Sequence, residues 1–459
     1  MLNIYQYFAP FLSRTTVRLF AALLTGLMIL ALARTAAAQD SRTSHFEFSA
    51  EPAGSIQWGS DSLEWNSHSV GSVLTYTTYL PIVTKPTSLA SLISETTITL
   101  PKPLADSSAN FCIWEHCSLS PRLYHEPLVD GRILLGWTDA DGDGHISIIS
   151  GNSLERTFNF PDRSIRGLVT HAGGSFAALL WDSGADVIRL AKFDQNGNQI
   201  WSTNLNSSIA VADFWLGDSR LAYGNGRYAA YHTVTGISGS FTDHYGDQLK
   251  YVNDQGVIQS DGWNWGCSHS LAQLVSYNSE LQQFLPACAS DCYPDKGIIL
   301  NHAKRIYESD GNCGGMVAVQ LGQLVPSGSS WKLIFNALDR ACCQGQGIGL
   351  ATINGAYQSN LVWLTHTNGA FERDPVMARL GLATVPEQFL VGWRMTNDNT
   401  YRLGVIDGQG NFLFGPEAMA PGIKWGNRDD SFRTRSDGSV TWVQGDPLSA
   451  TLHLYRIKM

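Results

Sequence analysis

Asp139, Asp141 and Asp143 stand at alternate positions in the stretch TDADGDGHIS, residues 138–147, with Gly142 and Gly144 among them. Three carboxylates this close repel one another unless a cation sits between them, and hard oxygen donors so spaced suit calcium. A solvated Asp-Gly turn is the plainer reading of the same residues. A second concentration of chemistry lies in DGWNWGCSHSLAQLV, residues 261–275, and in CASDCYPDKG from Cys288, which together gather Trp263, Trp265, Cys267, His269, Asp291, Tyr293 and Lys296. His269 and Asp291 could act as a base and its orienter. The aromatics Trp263, Trp265 and Tyr293 could instead stack on a sugar or another flat ligand, with His269 and Asp291 fixing its orientation. Bridged cysteines and core tryptophans are the bland alternative.

The flanks decide between settings for the aspartate loop. An EF-hand needs helices on both sides and a bidentate Glu at position twelve. Here position twelve is Ser150, and RILLGW and HISII on either side read as strands. The loop instead resembles the calcium-bearing hairpin loops of integrin-type (FG-GAP or VCBS) propeller repeats, of the kind found in secreted bacterial-type propellers. The resemblance covers one loop. It implies side-chain oxygens from Asp139, Asp141 and Asp143, the backbone carbonyl of His145, and a sharp turn at Gly144. The ninth position, usually acidic in that family, is Ser147, which offers a hydroxyl or a bridged water. The equivalent places in two other units hold DSGAD and MTNDN, without the three-carboxylate spacing. Calcium is therefore expected as a structural staple and not as a catalyst.

Those units recur along the chain. RILLGWTDADGDGHISII from Arg132, FAALLWDSGADVIRLAKFDQNGNQIW from Phe176 and FLVGWRMTNDNTYRLGVIDGQGNFLF from Phe389 each carry a strand ending near a tryptophan, a polar loop and an alternating strand. Asx-Gly turns follow at Asp194–Gly197 and Asp407–Gly410, and again at Asn253–Gly256. Weaker copies start near Phe284, Met316, Leu361 and Ser439. Trp137 and Trp181 are 44 residues apart. A period of about 40–50 residues with four strands marks a β-propeller blade. The expectation is all-β: a propeller of about seven blades, six to eight being possible, closed by N- and C-terminal strands. The stretch SLAQLVSYNSELQQF reads as well as strand-turn-strand as it does as helix. Residues 126–459 would form the propeller, and the Ser/Thr-rich β segment 39–125 would be a separate small domain or would complete the ring, which removes exposed edges.

Residues 1–38 read as a signal peptide: Arg14 and Arg18, an apolar run from Leu19 to Ala33, and ARTAAAQD at the cut. The run falls short of the roughly 20 residues a spanning helix needs, so no membrane span is expected in the mature chain. Location outside the cytoplasm, secreted, periplasmic or at the cell surface, makes disulfides the default for the eight cysteines. Cys112 with Cys117 is a plausible local loop, and adjacent Cys342 and Cys343 either bond to each other or part to two partners. Zinc on Cys288 and Cys292 is the rival reading. A net charge of −9 without a basic run argues against nucleic acid. No nucleophile elbow, zincin helix or phosphate loop is present. The reading is a secreted, disulfide- and calcium-stabilised module that binds or adheres to an extracellular glycan or protein. The alternative is an extracellular polysaccharide lyase or glycoside hydrolase on the same scaffold. Whether it is an enzyme stays open, and the missing motif leans against it.

Overall fold

A computed structural model describes residues 88–106, 122–182, 184–206, 210–211, 219–235, 245–268, 273–309, 313, 319–343, 345–368, 372–382, 386–425 and 430–459. Residues 1–38, most of 39–125, Cys112, Cys117 and His269 lie outside these residues.

Among the described residues the chain forms seven four-stranded antiparallel sheets. Blade 1 runs Tyr124–Pro127, Ile133–Thr138, Gly144–Ser150 and Ser153–Phe160; blade 2 runs Arg163–Thr170, Phe176–Asp182, Val187–Phe193 and Gln199–Asn204. Blade 3 is built on Arg220–Gly224, Arg227–Thr235 and Tyr245–Asn253, with the pair Ala210–Val211 extending its inner edge. Bridges from Leu249 to Trp263 and from Val252 to Ile258 put 258–263 in the place of its outer strand. Blade 4 comprises Gln273–Asn278, Gln283–Ser290, Gly297–Leu300 and Lys304–Glu308. Blade 5 comprises Val319–Ser327, Ser330–Leu338, Gln346–Asn354 and Ser359–Trp363, and blade 6 Glu372–Leu380, Gln388–Met395, Thr400–Asp407 and Phe412–Ala418. The last blade joins both regions of the chain. Arg433–Thr434, Val440–Gly445 and Thr451–Ile457 pair in order, and Ile93–Thr99 adds the outer strand, Ile93 opposite Ile457 and Thr99 opposite Thr451.

The burial of each strand follows its place in the blade. Second strands are covered on both faces and read as near-continuous apolar runs, as in ILLGWT of blade 1 and FAALLWD of blade 2. Outer strands such as SLERTFNF cover one face and alternate. The core is correspondingly divided. Seven apolar clusters each join one blade to its neighbour: Leu134 and Ile146 with Leu180, Leu190 with Tyr228, Tyr231 with Phe284, Leu285 with Phe335, Ile334 with Phe389, Leu390 with Trp442, and Val443 with Trp137. The last of these closes the circle. With seven interfaces for seven blades, no edge is left between the first and the last, which defines a seven-bladed β-propeller.

The repeat alignment lands on this frame. Trp137, Trp181 and Trp393 fall on the second strands of blades 1, 2 and 6 and are all buried. Phe284 and Ser439 likewise mark second strands. Leu361 does not start a unit: it belongs to the outer strand of blade 5, whose second strand is SWKLIFNAL, with its tryptophan at the beginning. Met316 lies outside the described residues. The ambiguous stretch after Ser270 is strand-turn-strand. Helix among the described residues is limited to the single 3-10 turns Ala90–Leu92 and Ala172–Gly174, and no helix there is long and apolar enough to cross a membrane.

Candidate functional site

In every blade the inner strand starts at the rim where second strands turn into third strands. The aspartate loop of blade 1 lies on that rim. Its backbone closes as an Asx turn: Asp139 Oδ1 accepts the N–H groups of Asp141 at 3.0 Å and Asp143 at 2.9 Å, and Asp139 N–H donates to the Asp143 carbonyl at 2.9 Å. Gly142 takes φ +93°, which a side chain would resist. The other oxygen of Asp139, fully buried, meets the Lys102 ammonium at 2.7 Å and His145 Nε2 at 2.9 Å. Lys102 also lies 3.0 Å from Asp141 and 3.6 Å from Asp143. Burial alone would raise the Asp139 carboxyl; donation from Lys102 and His145 outweighs it and holds the group below the usual carboxylate range.

A cation therefore does sit among the three carboxylates, and it is an ammonium. Lys102 follows the closing strand, and the same segment docks the loop through Ala140 N–H to the Pro103 carbonyl and a bridge from Leu104 to Asp139. His145 enters through its ring, stacked on Trp137 at 4.1 Å and bonded to Asn159 at 2.8 Å. The Ser147 hydroxyl faces away, accepting from Trp137 Nε1 at 3.0 Å and sharing a bond with Thr157 at 2.9 Å. Of the five residues the sequence nominated for a metal, the three carboxylates converge on Lys102, His145 joins them through its ring on Asp139, and Ser147 bonds away from them.

The tryptophan stretch is less open than its composition suggests. Trp263 pairs with Leu249 through both backbone groups, donates Nε1 to Asp247 at 3.2 Å and packs on Tyr231 and His302. Asp247 is fully buried and also takes the Tyr231 hydroxyl at 2.5 Å and the Cys267 N–H at 3.0 Å. Burial beside this carboxylate pushes the Tyr231 phenol well above its ordinary range. Trp265 is half-buried and lies over Gly246, where a Cβ would strike its ring. Asp291 is buried and accepts the Ser268 hydroxyl at 2.7 Å, while Tyr293 is 47% exposed. Cys267 and Cys288, Cys292 and Cys313, and Cys342 and Cys343 stand at disulfide-bonding distance. Cys288 and Cys292 thus stand at bonding distance from different partners.

Sequence reading missed the axis. A cavity of about 300 Å³ runs along the inner strands of all seven blades. Four charges cross it: Glu126 Oε1 to Arg433 Nε at 3.0 Å, Arg433 Nη2 to Asp430 Oδ2 at 3.2 Å, and Asp430 Oδ2 to Arg220 Nε at 3.1 Å. Gln323, Ser276 and Thr434 add neutral polar groups. These residues come from blades 1, 3, 4, 5 and 7, at no fixed spacing. The usable signal is position: polar side chains on inner strands, where apolar residues would be expected.

No family description matches this chain, and no curated protein matches it in sequence. Solved structures similar in shape include AofleA from Arthrobotrys oligospora, at 8% identity over 72% of this chain and 91% of that one, with a TM-score of 0.38. An α-L-arabinanase from Penicillium chrysogenum complexed with arabinobiose is similar at 10% identity over 79% and 98%, with a TM-score of 0.41.

Proposed function

We propose that this is a secreted β-propeller, stabilised by disulfides and calcium, that binds an extracellular glycan or protein ligand at the mouth of its axial cavity. The observation that carries the reading is the chain of charges Glu126–Arg433–Asp430–Arg220. Its two carboxylates and two guanidiniums balance, and each carboxylate already has an arginine against it. Such groups are fixed acceptors and donors for a hydroxyl-rich ligand. A hydrolase would instead need one of these carboxyls to deliver a proton. Trp263, Trp265, His269, Asp291 and Tyr293 are the second contact region proposed from the sequence, and of these Tyr293 offers the most exposed ring among the described residues. Calcium would be held by Asp139, Asp141 and Asp143 and would order the loop. The Lys102 ammonium marks the cation position, and its side chain, 42% exposed beside a cavity of about 780 Å³, has room to leave.

A glycan array probed with wild type and Glu126→Gln tests the reading. Binding that the variant loses supports it. Release of new reducing ends from a polysaccharide panel by wild type would make the protein an enzyme and overturn it.

A further inference from the structure

We propose that Cys342, Cys343 and His366 form a redox-controlled site for a thiophilic divalent cation of the zinc class. One ligand atom from each of the three lies within 4.8 Å of the others. The two cysteines sit in the connection after Ser330–Leu338 of blade 5, and His366 in the connection after Ser359–Trp363, so two loops of one rim meet here. Cys342 and His366 are exposed, which gives both a reductant and an ion a way in.

Asp339 organises the set from beneath, itself 3% exposed. Its Oδ1 accepts the Ala341 N–H at 3.0 Å and its carbonyl accepts the Cys343 N–H at 3.1 Å, which fixes the turn that carries both sulfurs. Its Oδ2 takes His366 Nδ1 at 3.2 Å. A carboxylate on Nδ1 places the proton there and turns the Nε2 lone pair outward, the arrangement in which imidazole ligates a metal. One residue thus sets the thiol turn and the tautomer of the third ligand. The cystine Cys267–Cys288 is built differently: both sulfurs are buried, and the nearby Asp247 is committed to Tyr231, Trp263 and the Cys267 backbone.

While Cys342 and Cys343 are bonded, neither sulfur is a thiolate and the set has one ligand. A phosphine reductant transfers two electrons to the S–S bond; each sulfur takes a proton, and phosphorus takes oxygen from water. A divalent cation then displaces both thiol protons. Two thiolates cancel its charge, neutral His366 completes three protein ligands, and a fourth position stays open.

The test uses the full chain and Co²⁺ as a spectroscopic stand-in. After anaerobic phosphine treatment, wild type should develop thiolate-to-cobalt absorption with one saturable site, and untreated protein should show none. Cys342→Ser/Cys343→Ser should abolish the band. His366→Ala, an exposed change that spares the fold, should weaken binding about 10- to 100-fold, and Asp339→Asn about 10-fold through the tautomer. An undiminished band in the double serine variant would place the site on other cysteines and overturn the proposal. An unchanged affinity in His366→Ala, or a band in untreated protein, would overturn it equally.

Discussion

The turn at Asp139 and the turn at Asp194 share one backbone and differ in almost everything else. Asp194 Oδ1 accepts the N–H groups of Asn196 and Asn198, both at 2.8 Å, and Asp194 N–H reaches the Asn198 carbonyl, bond for bond the pattern at Asp139. Asp407 repeats it in blade 6, and Asn253 and Asn354 in blades 3 and 5. Those four turns leave third strands for the outer edge of the blade, at the opposite rim. Blade 1 has moved the device across the sheet to its second-to-third connection. At Asp194 the spare carboxylate oxygen takes an amide from Asn198 in open solvent. At Asp139 it is buried under a lysine and a histidine. The turn is generic, and what makes the aspartate loop special is the charge delivered to it by a segment from the other side of the ring closure.

Deleting each carboxylate separates the two turns most directly. Asp139→Ala removes the turn bonds and takes from His145 and Lys102 their shared partner, so it should cost about 1–3 kcal/mol, as for leaving buried donors unpaired. Asp194→Ala gives up a turn that water can solvate and should cost far less. Urea unfolding of the two variants decides it, and equal losses would reduce both to simple turns.

The paired glycines should reverse that order. Gly142 and Gly197 both have positive φ, yet a Cβ at Gly142 meets open space, whereas one at Gly197 enters the Phe158 ring. Gly197→Ala should cost about 2–4 kcal/mol and Gly142→Ala about 1–2 kcal/mol, from backbone strain alone. Melting curves of both variants check this.

Calcium sharpens the contrast further. At a hundredfold excess over Kd it should stabilise wild type by about 2.7 kcal/mol. Asp141→Ala should abolish the shift, Lys102→Met should enhance it by removing the resident ammonium, and Asp194→Ala should leave it intact. A melting curve indifferent to both calcium and chelator would reduce the loop to a turn with a salt bridge.

The smallest effect concerns acid. Asp194 is held below its ordinary range by the Asn198 side chain and backbone, and Asp139 by Lys102 and His145 against its own burial. Groups with lowered values contribute stability above about pH 3.9 and lose it as pH falls through their folded values. Denaturation at several pH values below 5 should show a flatter acid limb in Asp139→Ala and in Asp194→Ala than in wild type, because each variant lacks one carboxylate whose protonation destabilises the fold.

How much of this the sequence carried depends on range. The second strands were legible because burial on both faces writes itself as an apolar run with a tryptophan, and the Asx-Gly turns because positive φ demands glycine. Blade 5 was misplaced because its tryptophan opens the strand and does not end it. The three carboxylates were legible, being neighbours. Their cation was not: Lys102 is 37 positions from Asp139, and nothing local marks the approach. The axial charges were hidden for the same reason, since a propeller brings residues from distant repeats to a common centre. Trp263 and Trp265 stood out by composition, which does not reveal that one of them serves a buried aspartate.

Ser94 lies opposite Arg456, 362 positions away. That single ladder sets a timetable. Synthesis must deliver every intervening residue before Ile93–Thr99 meets its mate, so the nascent propeller waits as an open arc with two unsatisfied sheet edges. Contacts this remote form slowly, and unpaired edges invite other chains. The protein should thus be most vulnerable to proteolysis and aggregation late in its synthesis, and the last strand to arrive, Thr451–Ile457, acts as the fastener whose loss reopens the whole ring.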